Sequence, residues 1–226
     1  MFKVVKLKNI VKRLMPPPIL LGIRKIRLWR RNIILKQRGL DSLIDLMNSL
    51  NTSENLVFIV FGTLLGLHRE QKLIEHDLDI DIGCFFEDLP RVLERLDEIN
   101  VSIHHKFYSK KNPDHCELTF NFRGIRFDIF VFHKANGQVY CTDYVSLDGV
   151  TFRQRFLHFS TFGLSNLEVE NHFLCAPDDR RLWLETQYGK SFMTPVKDWD
   201  YSAPLPHISN SNEEVVFEIY RGNSGN

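Results

Sequence analysis

Between Glu75 and Asp81 every second residue is acidic: Glu75, Asp77, Asp79 and Asp81. Residues two apart in a strand share a face, so the spacing predicts one row of carboxylates. His76, Leu78, Ile80 and Ile82 would turn the other way, towards a core. Aspartate is a poor strand former, and like charges roughly 7 Å apart repel each other. The row is stable when something cationic rests on it, and a hard divalent metal with oxygen ligands suits it best. The alternative is a solvated edge strand whose charges discourage aggregation. A Gly62-Thr63 turn after an apolar strand, which that alternative does not require, precedes the row.

A second strand should supply a further carboxylate, as phosphate-handling metal sites commonly draw ligands from more than one strand. Asp128 is the candidate. The segment Glu117-Leu-Thr-Phe-Asn-Phe-Arg-Gly-Ile-Arg-Phe-Asp-Ile-Phe-Val-Phe132 reads as two strands around an Arg123-Gly124 turn. Ile125, Phe127, Ile129 and Val131 would share one face; Arg126, Asp128, Phe130 and Phe132 would share the other. A lone carboxylate in so apolar a strand must be paired, hydrogen-bonded or bound to metal. Arg126, two residues away on the same face, offers an ion pair as the alternative to a metal.

The elements that must carry these residues are an apolar strand over residues 56–61 and a short helix over 64–71 after the Gly-Thr turn. The acidic strand and the hairpin around Gly124 complete the set. Around them the pattern predicts a helix over residues 42–50 capped by Asp41, and an amphipathic helix from Asp88 with proline in its first turn. A hairpin at Asn136-Gly137 and a last helix over residues 178–188 follow. Residues 210–226, rich in Ser, Asn and Gly, offer little to bury and are expected to be mobile.

The near-neutral total charge hides an asymmetry. Of 29 basic residues, 12 fall in residues 1–40, which hold no acidic one, so the remaining 17 face 28 acidic residues, a net of −11. The basic arm is split by Pro16-Pro17-Pro18. After the prolines, Ile19, Ile23, Ile26 and Ile33 recur at helical spacing among Arg24, Lys25, Arg27, Arg30 and Arg31. Such a helix suits an anionic membrane surface, or equally packing on the acidic body or a partner. Its uncharged runs are too short to span a bilayer. The acidic remainder argues against nucleic acid as a partner. Cys84, Cys116, Cys141 and Cys175 have no metal-ligand spacing and read as free thiols of a reducing compartment. A cytoplasmic enzyme, peripheral at the inner face of the membrane, is the expected setting.

In order along the chain, Phe61-Gly-Thr-Leu-Leu-Gly66, Arg69, Ile74, Asp77-Leu-Asp-Ile-Asp-Ile-Gly83 and Phe127-Asp128-Ile129 resemble the LicD/fukutin family. So do Ala176-Pro-Asp-Asp-Arg-Arg-Leu-Trp-Leu-Glu185, Tyr188-Gly189 and Met193-Thr194-Pro195. Glu75-His76 stands where family members often have Pro-Trp, and Phe192 where a Trp is common. The resemblance implies an α+β fold with a nucleotidyltransferase-like mixed sheet flanked by helices. Charge, composition and the resemblance together divide the chain into a basic helical arm (1–40), a catalytic domain (41–205) and a tail (206–226). The resemblance also implies transfer of ribitol phosphate, glycerol phosphate or phosphocholine from a CDP-linked donor to a glycan acceptor, lipid-linked if the arm binds membrane. Asp79, Asp81 and Asp128 would hold Mg²⁺ or Mn²⁺ and carry catalysis. Gly62, Thr63 and Arg69 would bind the donor phosphates, and Asp77 would orient a ligand or a water. For Arg69 an exposed helix position is the alternative. Asp128 and His76 are the candidates for the base. A nucleotidyltransferase releasing pyrophosphate, or a non-catalytic glycan-assembly scaffold, would use the same fold.

Overall fold

A computed structural model describes residues 17–52, 54–146, 151–196, 199–200, 203 and 205–220. The first piece of the arm, before Pro17, and the end of the tail, residues 221–226, lie outside the described residues. The described residues form a mixed sheet flanked by four α-helices, an α+β fold as the sequence led us to expect.

Helix α1 (Pro17–Leu50) runs unbroken for 34 residues. Proline is tolerated in a first helical turn, where its missing N–H would have had no partner. Asp41 therefore caps nothing: the expected break at residues 40–41 is absent. Leu35, Leu43, Leu46 and Leu50 lie on one side and are buried, so the stripe that seats the helix already begins before Asp41. Asn51 closes the helix. Its side-chain amide donates to the Val57 carbonyl at 2.8 Å and accepts the Val57 N–H at 2.9 Å, aiming the chain into β1 (Phe58–Ile59).

Helix α2 (Phe61–Glu70) starts immediately, so Gly62 and Thr63 are its first turn and not a separate one. Strand β2 (Ile80–Phe85) is antiparallel to β1 and parallel to β5 (Ile125–Ala135). A short 3-10 turn leads into α3 (Leu89–Glu98), whose first turn holds Pro90 as expected. Asp88 makes no side-chain cap and pairs with Arg91 instead.

Strands β3 (Ile103–Ser109), β4 (Cys116–Phe122), β5, β6 (Gln138–Ser146) and β7 (Phe152–Ser160) follow as antiparallel neighbours. The two predicted hairpins are present. Arg123 and Gly124 (φ 52° and 82°), and Asn136 and Gly137 (φ 50° and 73°), adopt the left-handed pair that matches strand twist in two-residue turns. A separate hairpin, β8 (Leu164–Val169) with β9 (His172–Pro177), leads to α4 (Arg180–Tyr188). Asp179 caps α4 by accepting the Leu182 N–H at 3.0 Å.

The tail is more ordered than its composition suggested. β10 (Ile208–Asn210) pairs with β7, and β11 (Val215–Ile219) pairs with β3. The reason is Val215-Val216-Phe217, a β-prone stretch inside a polar surround. The core lies around β5. Phe58, Phe120, Phe127 and Phe132 are fully buried there, and both faces of the strand are covered.

Candidate metal and phosphate site

The acidic row is not one strand. Only Ile80 onward joins the sheet, while Glu75 to Asp79 cross in turns. Side chains of α1 satisfy this segment's backbone in place of a ladder. Asn32 donates to the carbonyls of Glu75 (2.7 Å) and Asp77 (3.1 Å), and Arg31 donates to that of Leu78 (2.8 Å). Freed from strand alternation, Glu75 turns outward to Lys36 at 2.8 Å. His76 is exposed at the cavity rim and Leu78 is only half-buried, whereas Ile80 and Ile82 are fully buried as expected. Asp77, Asp79 and Asp81 line one cavity.

Asp128 comes to them through strand register. Asp81 and Asp128 are direct partners on the parallel strands β2 and β5. Carboxylate oxygens of Asp79, Asp81 and Asp128 all lie within 4.8 Å of one another. The Arg126–Asp128 pair is also present, with Nε at 2.9 Å and Nη2 at 2.8 Å from the two carboxylate oxygens. Thr119, opposite on β4, donates its hydroxyl to Asp128 at 2.6 Å. These contacts fix the orientation of Asp128. Arg126 and Arg31 approach Asp79 only to 3.9 and 3.8 Å.

The start of α2 closes over this cluster. Phe61 takes a left-handed backbone (φ 44°), strained by roughly 1–2 kcal/mol for a residue with a side chain. Its ring, packed on Phe130 at 4.6 Å and Trp183 at 5.3 Å, offsets that cost. The Gly62 N–H then donates to Asp81 Oδ2 at 3.1 Å. A Cβ on Gly62 would sit 2.9 Å from Asp77 and 3.3 Å from Asp81, so only glycine allows carboxylates this close. Thr63 is buried, and its hydroxyl accepts the Asp81 N–H at 2.8 Å. Its visible work is to hold Asp81. Arg69 is mostly covered rather than exposed, bonds Glu70 at 2.7 Å and lines the cavity.

Crowding sets the protonation of the cluster. Burial, and then the charges of Asp79, Asp128 and Asp77, push Asp81 well above the usual carboxylate range. Burial and the Asp79 charge push Asp77 up to about 6. Burial raises Asp128 too, against the pull of Arg126. Three carboxylates converging within 4.8 Å, two of them held as anions only against burial, are the oxygen-donor set of a hard divalent cation site, and the residues fit Mg²⁺ or Mn²⁺.

The cavity measures about 710 Å³, within the roughly 300–1,000 Å³ usual for small-molecule sites. Tyr188, Phe192 and Trp199 line it together with charged groups that the sequence did not single out: Glu117, Asp143 and Arg155. Arg31 is a further addition, brought by the arm. No local spacing marks these residues, because strands distant in sequence bring them together.

The family model of the LicD/FKTN/FKRP nucleotidyltransferase domain matches residues 56–179. Among curated proteins, the ribitol-5-phosphate transferase FKTN of Mus musculus is 28% identical over 149 residues, covering 65% of this chain and 31% of that protein. The Homo sapiens protein of the same name is 26% identical over the same length and shares. An uncharacterised protein of Rickettsia prowazekii (strain Madrid E) is 25% identical over 187 residues, covering 80% of this chain and 66% of its own. The chain thus spans about a third of the FKTN relatives' length. The matched segment takes in more than half of the chain and carries Asp79, Asp81 and Asp128, and the protein belongs to the LicD/FKTN/FKRP nucleotidyltransferase-domain family.

Proposed function

We propose that this protein is a metal-dependent phosphotransferase. It moves a phosphoryl-linked alcohol (ribitol phosphate, glycerol phosphate or phosphocholine) from a CDP-activated donor to a glycan hydroxyl. The observation that carries this reading is the convergence of Asp79, Asp81 and Asp128 in a large cavity beside a helix start. The FKTN relatives, named ribitol-5-phosphate transferases, supply the transfer class.

Phosphoryl transfer requires alignment and charge neutralisation more than covalent help. Mg²⁺ or Mn²⁺ held by Asp79, Asp81 and Asp128 would supply Lewis-acid stabilisation of the diphosphate. Arg69 would contact a donor phosphate, and Gly62 leaves the room for close approach. Thr63 and Gly62 keep the Asp81 carboxylate aimed, while Thr119 and Arg126 do so for Asp128. Asp77 would orient a ligand or a water. The acceptor hydroxyl's oxygen bonds to the phosphorus bearing the alcohol and its proton passes to a base, for which Asp128 is the first candidate and His76 the second; the bond from that phosphorus to the bridging oxygen breaks, and CMP leaves with that oxygen.

No helix among the described residues is long and apolar enough to cross a membrane. On α1, Ile23, Ile26, Trp29 and Ile34 are exposed, with Lys25, Arg27 and Arg30 also exposed between them. That face would rest on an anionic membrane surface and bring the cavity to a lipid-linked acceptor.

The test is CMP release from CDP-ribitol, CDP-glycerol and CDP-choline, with and without Mn²⁺ or Mg²⁺, against the Asp79→Asn/Asp81→Asn protein as blank. Metal-dependent CMP from one donor, absent in the blank, is the expected result. Pyrophosphate release from CTP would instead establish a nucleotidyltransferase. Failure to bind either metal or nucleotide would leave a scaffold.

A further inference from the structure

Helix α1 consists of two stretches with different support. From Leu35 onward its apolar side is buried in the core, whereas before Leu35 none of its described side chains is fully buried. Polar contacts seat that first stretch. Arg31 donates to the Leu78 carbonyl and lies 3.8 Å from the Asp79 carboxylate, and Asn32 donates to the carbonyls of Glu75 and Asp77. A helical stretch beyond its apolar seat gains little from tertiary packing and belongs to the part of a fold that opens most readily. The segment it holds is equally dependent on it. Residues 75–79 lie outside the sheet, yet they carry Asp77, which lines the cavity, and Asp79, which belongs to the carboxylate cluster.

The two sides of this stretch point in opposite directions. At about 100° per residue, Leu28, Arg31, Asn32 and Leu35 share the side turned to the body, and Ile23, Ile26 and Ile34 share the far side. Those isoleucines are exposed, with exposed Arg27 and Arg30 among them and exposed Trp29 at the edge. Residues 1–40 hold no acidic residue. Apolar side chains set among cations on one helix face match the surface of an anionic bilayer. A bilayer covering that face leaves Arg31 and Asn32 free to hold the body.

We propose that the first stretch of α1 is a membrane-operated brace for the metal site. Seating Ile23, Ile26, Trp29 and Ile34 on an anionic bilayer orders the helix, and Arg31 and Asn32 then hold residues 75–79 so that Asp79 stays aimed at Asp81 and Asp128. Arg31 and Asn32 are positioning residues, acting through the backbone of Glu75, Asp77 and Leu78. The brace rests on the metal reading of the cluster and on the membrane reading of α1. Bilayer and metal draw on the same ordering, so each strengthens binding of the other by the same factor. A protein built this way binds its metal tightly only at the surface where a lipid-linked acceptor resides.

The coupling is measurable without turnover. The full chain is titrated with Mn²⁺, and the free ion is read by its electron paramagnetic resonance signal. Vesicles containing phosphatidylserine are present or absent, and vesicles alone give the Mn²⁺ that lipid takes up. We expect the vesicles to raise Mn²⁺ affinity by about tenfold, and Mn²⁺ to raise vesicle affinity equally. The Asp79→Asn/Asp81→Asn protein corrects the second number for the effect of Mn²⁺ on the lipid. Without metal, amide hydrogen exchange of residues 75–79 should slow on vesicles by about the same factor. Asn32→Ala keeps the helix and the membrane face but removes the bonds to Glu75 and Asp77. It should bind vesicles as wild type does, while its Mn²⁺ affinity no longer responds to them.

Vesicle binding by wild type with unchanged Mn²⁺ affinity and unchanged exchange would overturn the brace. So would a full response in Asn32→Ala. Absence of vesicle binding would overturn it as well and give the exposed face to a protein partner. If exchange slows on vesicles but the chain takes up no Mn²⁺, the metal reading fails and the brace stands.

Discussion

The carboxylate of Asp81 receives one backbone hydrogen bond, from Gly62, and otherwise faces other carboxylates. In the metal-free protein this crowding is destabilising. Asp81→Asn should therefore raise the metal-free melting temperature, by about 2–4 °C for each kcal/mol of relieved repulsion. It should also abolish the upward shift that Mn²⁺ gives wild type, both read by differential scanning fluorimetry. Asp77 adds a pH signature. Its folded pKa of about 6 lies above the ordinary value, so the stability held by its neutral form is full below about pH 4 and lost as pH rises through 6. The melting temperature of Asp77→Asn minus that of wild type should grow between pH 4 and 7 in the absence of metal. A flat difference would show that Asp77 is not crowded. At this scale the sequence displayed Asp79, Asp81 and Asp128 openly, because aspartates in apolar strands are conspicuous. It concealed Glu117, Asp143 and Arg155, whose meaning depends on which distant strand lies opposite.

At the scale of elements, alternation was a good guide where strands are buried on both faces and a poor one where charge accumulates. β4, β5 and their turn follow the predicted boundaries closely, since apolar content and Gly124 leave little freedom. The acidic row departs from the sheet before Ile80 because repulsion opposes a ladder and α1 side chains offer its backbone other partners. Helix α2 depends on a close approach to this same segment. A Cβ on Gly66 would lie 2.5 Å from the Lys72 carbonyl oxygen and 3.0 Å from the Ile74 nitrogen, which are backbone atoms with little room to move. Gly66→Ala should therefore cost about 1–3 kcal/mol in urea unfolding. It should also lower metal affinity, since the displaced segment carries Asp77 and Asp79. Unchanged stability together with unchanged affinity would argue against this coupling. Composition misled at both termini. Asp41 looked like a cap but lies inside a continuous helix, and Val215-Val216-Phe217 make an edge strand within a polar tail.

For the molecule as a whole, the described end of the basic arm packs on the acidic body. From Arg31 onward α1 clamps the acidic segment, through Arg31 on Leu78, Asn32 on Glu75 and Asp77, and Lys36 on Glu75. Packing on the body thus accounts for this part of the arm's charge. It leaves the exposed isoleucines and Trp29 to the proposed membrane surface. Ile26→Ser/Trp29→Ser should reduce co-sedimentation with vesicles containing phosphatidylserine by about tenfold or more, from the lost apolar burial. CMP release from the donor in the presence of a soluble acceptor should stay as in wild type. Equal co-sedimentation of both proteins would assign that face to another partner. The sequence by itself determined which carboxylates gather in the cavity, the hairpins and the α+β class, because residue type, period and turn chemistry are local properties. Tertiary structure alone decided that Asp81 meets Asp128, that Arg155 and Glu117 share their cavity and that the arm braces the site. Those outcomes depend on parallel register and on the packing of segments far apart in the chain, which no local pattern encodes.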